Sequence, residues 1–417
     1  MNGRSVAPVA CLSLVALVLI ACSTATPTPQ VQSPQSPDEY LWHALDWIQT
    51  HAVFSGTVSW TIIRRDALAA DPRTITETHP ILCLALRRLN DQNAWLWVPA
   101  EGKHDYTGFD VIDNTVVMID PEGPAEQAGL RVGDIIEEQS PEPPGTPPCT
   151  DEEECWSCTQ LHLTVRRAGE AEPLRITITK VDDPGYDVGG QPAGRRLETN
   201  FGAVGYLEIP YDTGSHRSYP GVVQQLMRKI DRKPVCGWII DLRRTMGGDI
   251  WSYLAAVGPI LGEGDVGGFL YLDRTRELWT YRDGQVFWDG ERRGESFVEG
   301  GIYQPKRAAS PVALLIGHGT IAAGELVVVA FQGYPNVRTF GETTGGAPRL
   351  ILHTELSDGT TIFVSGALAI DRDGDAYVGS MWPAEKVKTD WTQFGTDQDP
   401  VLNAARDWLQ TQPECAP

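Results

Sequence analysis

Residues 319–325 (GTIAAGE) have the pattern of a turn that presents one side chain for chemistry. The apolar run at residues 311–316 predicts a buried strand, and residues 322–331 predict a helix. Such a strand, turn and helix place one residue at a helix N-terminus, where backbone N–H groups can hold a developing oxyanion. That residue is Ala322. Because a methyl group has no nucleophilic atom, the side chain of Ala322 could not itself act as a nucleophile at such a turn.

Two more strings accompany this turn. Residues 241–251 (DLRRTMGGDIW) follow a predicted buried strand, and residues 89–94 read LNDQNA. In combination with residues 341–346 (GETTGG), these strings resemble the C-terminal-processing, or tail-specific, serine peptidases. The similarity is greatest to their tricorn-core-like and nisin-resistance-like branch, and it covers residues 38–387.

The resemblance assigns roles at the nucleophile turn. The family carries a Thr-Ala-Ser-Ser-Gly-Glu pattern there, so Ala322 is the nucleophile equivalent. The implied oxyanion-hole donors are Gly247, Gly248 and Ala323, and Thr245 replaces the family's usual asparagine.

The resemblance also assigns the general base. In this branch a Gly-Asp-x-His-Ser string supplies a histidine and an orienting serine, and Asn93 and Ala94 occupy those positions here. A neutral asparagine cannot act as a base near pH 7. An active peptidase would therefore need unconventional residues, for which the candidates are Thr320, Ser380, His318, His216 and His104.

Residues 116–136 carry a separate specific sequence pattern. It consists of a β-rich run, a turn, a short helix closed by Gly129 and a further turn. This string resembles the central signature of a PDZ domain, and residues 161–166 and 174–179 fit its later strands. Such domains bind an extended chain terminus as an added strand. The implied peptide-binding residues are Gly108, Phe109, Val111 and Val117. Asp110 stands where the family prefers glycine, which argues against binding of a terminal carboxylate.

The predicted fold class is α/β, or α+β multidomain, with a small N-terminal helical piece, a PDZ domain and an α/β peptidase-like core. Helices are expected at residues 38–51 and 78–89, and strand–helix alternation begins near Gly205. Residues 270–298 predict hairpins, and the acidic run at residues 371–375 predicts a turn rather than a calcium loop. The expected segments are a signal peptide at 1–21, a lipidated cysteine and linker at 22–37, the helical subdomain at 38–105, the PDZ domain at 106–184, the core at 185–411 and a tail at 412–417.

The first residues predict export. An apolar stretch too short for a comfortable membrane span ends in Leu-Ile-Ala-Cys22, which resembles the lipobox of bacterial lipoproteins. Residues 23–37 are rich in Thr, Pro, Gln and Ser, a composition that suits a spacer. We therefore expect an extracytoplasmic protein held to the membrane through lipid on Cys22.

The remaining cysteines are Cys83, Cys149, Cys155, Cys158, Cys236 and Cys415. Structural disulfides are the favoured interpretation outside the cytoplasm, and a zinc site at the central cluster with His162 or a redox pair are the alternatives. Cys236 lies in an apolar strand pattern and is predicted to be a small buried residue. No metal or cofactor is expected.

Charge narrows the choice of partner. The 417 residues include 34 Lys and Arg against 55 Asp and Glu, a formal net charge of −21. Nucleic acid is excluded as an expected partner because it is bound mainly by Lys and Arg. The expected ligands are peptides or unfolded protein C-termini. The sequence predicts a binding protein with lost peptidase activity, and an active envelope endopeptidase is the alternative.

Overall fold

The computed structural model describes residues 36–91, 93–98, 106–140, 160–181, 190–200, 202–211, 219–295, 301–307, 309–346 and 348–415. The helices are α1 Pro37–His51, α2 Trp60–Ala69, α3 His79–Arg88, α4 Pro124–Gln127, α5 Tyr219–Ile230, α6 Ile250–Leu261, α7 Ala323–Phe331 and α8 Pro400–Gln410. None of the helices in these ranges is long and apolar enough to cross a membrane.

The strands form three sheets. They are β1 Trp95–Trp97, β2 Phe109–Ile112, β3 Thr115–Ile119, β4 Ile135–Ser140, β5 Gln160–Arg166, β6 Leu174–Thr179, β7 Ala193–Thr199, β8 Gly202–Glu208, β9 Trp238–Asp241, β10 Gly264–Tyr271, β11 Arg276–Arg282, β12 Gln285–Trp288, β13 Glu291–Glu295, β14 Val312–Ile316, β15 Val337–Gly341, β16 Arg349–Glu355, β17 Thr361–Ile370, β18 Ala376–Tyr377 and β19 Glu385–Lys386. The architecture is mixed α/β, as the sequence predicts.

The central sheet has the strand order β19-β15-β14-β9-β8-β7, and all its pairings are parallel except that of β7 with β8. Side chains alternate across a strand, so β14 contributes to two cores. Leu314 and Ile316 pack with α5, α6 and α7, whereas Ala313 and Leu315 pack with α8 on the other face. The carboxyl ends of β9 and β14 therefore lie side by side, and the turns after both strands meet there.

The second sheet is antiparallel and joins the front piece, which we define as residues 36–98, to the core. Its main path is β1-β17-β10-β11-β12-β13, with the hairpins expected at residues 270–298. Helices α1 and α3 pack against one face of β17 through Ile362 and Val364. Helix α1 begins at a capping box, in which Ser36 and Glu39 exchange hydrogen bonds.

The third sheet, β2-β3-β4-β5-β6, is antiparallel and has its own apolar core with α4. Polar contacts from two turns of the central sheet hold it. Arg244 Nη1 donates to the carbonyl of Val117 at 3.1 Å, and His318 Nδ1 lies 2.6 Å from Asp113 Oδ2. We call this unit the five-stranded domain.

A disulfide joins Cys236, just before β9, to Cys415, just after α8, with a Cα–Cα distance of 5.0 Å. The prediction that Cys236 is only a small buried residue is therefore wrong. The residue is buried, but its sulfur fixes the chain end to the central sheet. The local apolar pattern could not show this bond because the partners are 179 positions apart. Cys149, Cys155 and Cys158, with the proposed lipidation site Cys22, lie outside the described residues.

Replacing both bonded cysteines, as Cys236→Ala and Cys415→Ala, should lower the free energy of unfolding by about 2–4 kcal/mol, because the cross-link restricts the unfolded chain. Denaturant titration of the core, followed by tryptophan fluorescence, measures the change. A variant as stable as the parent protein would show that the bond does not contribute to stability.

Candidate functional site

Ala322 occupies the N-cap of α7, directly after the turn that follows β14. Its backbone has φ 49° and ψ −111°, a conformation that residues with a Cβ rarely adopt. Strain of this kind persists only where the surroundings impose it, and it is common at functional sites. The sequence-predicted nucleophile position therefore lies on a sharp, strained strand-to-helix turn.

A buried carboxylate fixes this turn. Glu325 is fully buried in the first turn of α7, and its Oε2 accepts the N–H of Ala322 at 3.1 Å. Its Oε1 accepts the hydroxyl of Thr344 and the N–H of Gly346. One side chain thus ties the helix start to the loop at residues 341–346.

The turn after β9 packs directly against the same helix start. The N–H of Ile321 donates to the carbonyl of Thr245 at 3.1 Å, and Met246 forms a parallel bridge with Ile321. A Cβ on Gly324 would stand 2.3 Å from the Thr245 carbonyl oxygen, so only glycine fits. The buried Thr245 side chain donates to the carbonyl of Ile209 and is not directed at the surface.

The predicted oxyanion-hole donors lie in these two turns. Gly247 and Gly248 have φ values of 112° and 100°, and Ala323 is the first residue of α7. Within the described residues, the backbone N–H groups of all three have no hydrogen-bond acceptor. Backbone donors that are not used inside the protein can bind a carbonyl oxygen or an anion.

Asn93, the predicted base equivalent, takes part in a polar network at the end of the front piece. Its Nδ2 donates to Ser365 Oγ at 3.2 Å, and Ser365 Oγ donates to Asp91 Oδ1 at 2.8 Å. The Asp91 carboxylate also accepts Arg349 Nη1 at 2.9 Å. Asp91, Arg349 and Ser365 are buried, so this network has one arrangement.

Ala94, the predicted orienter equivalent, packs against the apolar core of the front piece. The hydroxyl that contacts Asn93 belongs instead to Ser365, on β17. Sequence reasoning missed Ser365, because it lies 272 positions away and has no local signal. Asp91 lies inside the motif but was not assigned a role, and its partner Arg349 is 258 positions away.

The loop at residues 378–382 connects the Asp91 network to the nucleophile turn. Arg349 Nη2 donates to the carbonyl of Val378, and the N–H of Met381 donates to Thr344 Oγ1 at 2.8 Å. Thr344 in turn donates to Glu325. The base-equivalent and nucleophile-equivalent positions are thus joined by a continuous structural framework.

The candidate unconventional nucleophiles and bases that the structure describes either have other hydrogen-bond partners or are exposed at the surface. Thr320 is fully buried, and its hydroxyl donates to the Leu242 carbonyl and accepts the N–H of Gly317. His318 contacts Asp113 of the five-stranded domain. Ser380 is exposed. His216 and His104 lie outside the described residues.

The predicted peptide-binding residues lie on β2 and β3. Strand β2 is at the edge of the five-stranded domain. Gly108 precedes it with φ 76°, Phe109 packs partly on the domain core, and Val111 is exposed. Val117 differs, because it is fully buried and its carbonyl binds Arg244. Its side chain therefore lies inside the protein rather than at an open edge.

Asp110, between these residues on β2, has an unusual environment. Its pKa is raised to about 6, mainly by burial and also by the nearby Asp120 carboxylate, while Arg244 opposes the shift. Burial also raises the pKa of Asp120, against a hydrogen bond from Tyr106. The candidate peptide edge therefore changes charge in the mildly acidic range.

The acidic loop at residues 371–375 forms a turn between β17 and β18, as predicted. The Asp371 carboxylate accepts the N–H groups of Asp373 and Asp375 and the hydroxyl of Tyr377. In the described residues no cluster of His, Cys, Asp and Glu could hold a metal ion.

The molecule has the fold of the C-terminal-processing proteases. A solved photosystem II D1 C-terminal processing protease superposes with a TM-score of 0.57 and 19% identity, covering 89% of this chain and 98% of that chain. A lipoprotein from Streptococcus agalactiae gives a TM-score of 0.54 and 16% identity over 91% and 97% of the two chains. At these identities the likeness concerns the fold alone.

Part of the sequence also matches a family profile. Residues 203–381, which include Ala322, match the model of Peptidase family S41. The nisin-resistance protein of Lactococcus lactis subsp. lactis is 27% identical over 173 residues, or 41% of this chain and 52% of that protein. The chain thus matches about half the length of this relative.

The strain at Ala322 predicts that Ala322→Gly raises the free energy of unfolding by about 1 kcal/mol, because glycine adopts positive φ without strain. Ala404→Gly, in the interior of α8, should lower it by about 1 kcal/mol. Denaturant titration of both variants measures the difference. If the two substitutions destabilise equally, the conformation of Ala322 is not strained in solution.

Proposed function

We propose that this chain is an extracytoplasmic lipoprotein of the tail-specific peptidase family that binds extended peptides or protein C-termini and does not cut them. It would belong to the branch that includes the nisin-resistance protein, with residues 106–184 as a PDZ domain and residues 185–411 as the core. Cys22 would carry the lipid, and peptides or unfolded protein C-termini would be the ligands.

The observation that carries the proposal is the chemistry of Ala322. A methyl group stands on the strained turn where the family resemblance expects a nucleophile, and Glu325 holds that turn in place. Loss of a triad nucleophile costs about a millionfold in rate. The unused N–H groups of Gly247, Gly248 and Ala323 can still bind a peptide carbonyl.

The side chain of Asn93 also supports binding without cleavage. Because its Nδ2 donates to Ser365, its Oδ1 points elsewhere, and that oxygen has no donor among the described residues. An amide oxygen accepts a peptide N–H but does not remove a proton near pH 7. Donors at Gly247 and Gly248 and an acceptor at Asn93 are the two kinds of group with which a peptide backbone can pair.

The same network suggests which residue would orient a histidine at position 93. In the variant Asn93→His, one ring N–H would donate to Ser365 Oγ, which itself donates to Asp91. The other ring nitrogen would then be free to accept a proton. We infer that Ser365 and Asp91 take the orienting role, so a serine at position 94 is not needed.

The double variant Asn93→His, Ala322→Ser should therefore cleave an unfolded substrate with an apolar C-terminus. We expect the parent protein to remain at background and the variant to exceed it by at least about a hundredfold, a small part of the millionfold loss. Fluorescence of a quenched peptide substrate and mass spectrometry of the products measure cleavage.

Two further variants complete this test. Adding Ala94→Ser should change the rate by less than about twofold, whereas adding Ser365→Ala should reduce it by at least about tenfold and displace the pH profile. Cutting by the parent protein that is abolished by Thr320→Ala would support the alternative, an active endopeptidase with an unconventional nucleophile. A silent but folded double variant would show that the scaffold is no longer competent.

The pKa of Asp110 predicts the pH dependence of peptide binding at β2. Above pH 6 the ionised carboxylate repels a terminal carboxylate, and below pH 6 the neutral form does not. A labelled ten-residue peptide with an apolar C-terminus should bind about fivefold more tightly at pH 5.5 than at pH 7.5, by fluorescence anisotropy.

Three comparisons separate the titration of Asp110 from a nonspecific effect of low pH on binding. Asp110→Asn should bind equally at both pH values, and Glu122→Gln, at an exposed site of the same domain, should behave as the parent protein. The C-terminal amide of the peptide should lose the pH dependence. No saturable binding under any condition would contradict the proposed peptide receptor.

A further inference from the structure

Strands β1, β17 and β16 form a ribbon in which β17 lies between the other two. Side chains alternate along a strand, and one side of the ribbon packs into the front core through Leu96, Ile362 and Leu352. The intervening side chains therefore lie on the opposite side of the ribbon. On that side Trp95 is 46% exposed and Trp97 is 45% exposed.

The strand register shows that this side is continuous across the three strands. Trp95 is opposite Phe363, and Phe363 is opposite His353. The ring centroids of Trp95 and Phe363 are 4.1 Å apart with an interplanar angle of 6°, and those of His353 and Phe363 are 5.6 Å apart with an angle of 30°. We define the aromatic face as Trp95, Trp97, Phe363 and His353.

The row of rings ends at Trp95, on the outermost strand of the ribbon. One side of the Trp95 indole stacks on Phe363, and no other ring of the described residues contacts it. Aromatic rings pair favourably when they stack with an offset or meet edge to face. The row can therefore be extended by one more ring on the outer side of Trp95.

Strand β1 is also an edge strand, because β17 is its one partner among the described strands. The backbone N–H and C=O groups on the outer side of an edge strand can pair with an added chain. Trp95 and Trp97 point to the same side, so a strand added there would place alternate side chains beside the two indoles. The spacing of the two tryptophans thus matches an extended peptide.

The aromatic face is continuous with the candidate site. Asn93 precedes Trp95 by two residues, and Ser365, which accepts the Asn93 Nδ2 donor, follows Phe363 by two residues on β17. A chain paired with β1 therefore leads towards the Asn93 amide oxygen, which has no donor among the described residues. Rings beside unpaired backbone groups favour a peptide as the occupant, since a lipid surface offers no regular partners for those groups.

We propose that β1 receives an extended peptide as an added strand, and that the aromatic face selects aromatic side chains at two positions separated by one residue. The first ring stacks on the outer side of Trp95, and the second lies beside Trp97. These two tryptophans are then specificity-determining residues. The inference rests on the peptide binding in the proposed function and names the class of side chain that this part of the site selects.

Two labelled ten-residue peptides of identical composition, both with amidated C-termini, test the spacing. One carries phenylalanine at positions 5 and 7, and the other at positions 5 and 6, where the two rings of an extended chain point to opposite sides. Fluorescence anisotropy with the full chain at pH 7.5 should show about fivefold tighter binding of the first peptide. Equal affinities of the two peptides overturn the proposal.

Variants of Trp95 assign the preference to the aromatic face. Trp95→Ala should reduce the preference to less than about twofold, because either peptide can still place one ring beside Trp97. Trp95→Phe keeps a ring and should preserve the preference. Leu272→Ala, which removes an apolar side chain that is 49% exposed outside the ribbon, should also preserve it. A preference that survives Trp95→Ala contradicts the assignment.

Hydrogen exchange locates the peptide on the parent protein, so this measurement does not depend on how the variants fold. The first peptide at saturation should slow amide exchange in residues 95–98 at least about threefold. Protection of residues 109–112 alone would place the peptide on β2, which overturns this inference and leaves the proposed function intact.

Two further outcomes are decisive. Protection of residues 95–98 that increases with protein concentration in the absence of peptide would identify a second copy of the chain as the occupant and overturn the proposal. If neither peptide binds saturably and residues 95–98 and 109–112 both exchange unchanged, the proposed function fails together with this inference.

Discussion

A buried arginine holds the central region together. The guanidinium of Arg243 is fully buried between Asp241, at the end of β9, and Asp399, the N-cap of α8. Burial lowers its pKa, but the two carboxylates outweigh this and raise the pKa well above its usual range. Removing one partner of a buried ion pair typically costs about 3–5 kcal/mol, because the other charge is left uncompensated. The sheet, the last helix and the turn after β9 therefore form one rigid unit.

The turn after β9 also contacts the five-stranded domain and the start of α7. The neighbouring Arg244 binds Glu208 and the Val117 carbonyl of the five-stranded domain, and Thr245 contacts the start of α7. Glu325 then secures Ala322 in its strained conformation. The methyl group of Ala322 therefore stands on a turn whose strained conformation is imposed by its surroundings.

Much of the fold follows from local patterns in the sequence. The apolar run before the turn at residues 319–322 and the second apolar run after it predict β14 and α7 closely. Helix α2 and strands β15, β16 and β17 were not predicted, because tertiary packing determines them. Helix α2 has no side-chain N-cap, and it is stabilised by burying Ile63 and Ala67 against the front core.

The sequence by itself determined the residue types at the candidate site, and hence that Ala322 has no nucleophilic atom and Asn93 no basic one, because reactivity belongs to the side chain. Only the tertiary structure decided what surrounds them. Ser365 and Arg349 reach Asp91 across more than 250 positions, and Cys236 reaches Cys415 across 179. Such partners depend on how strands are ordered in the sheets, and no local spacing of residues records that order.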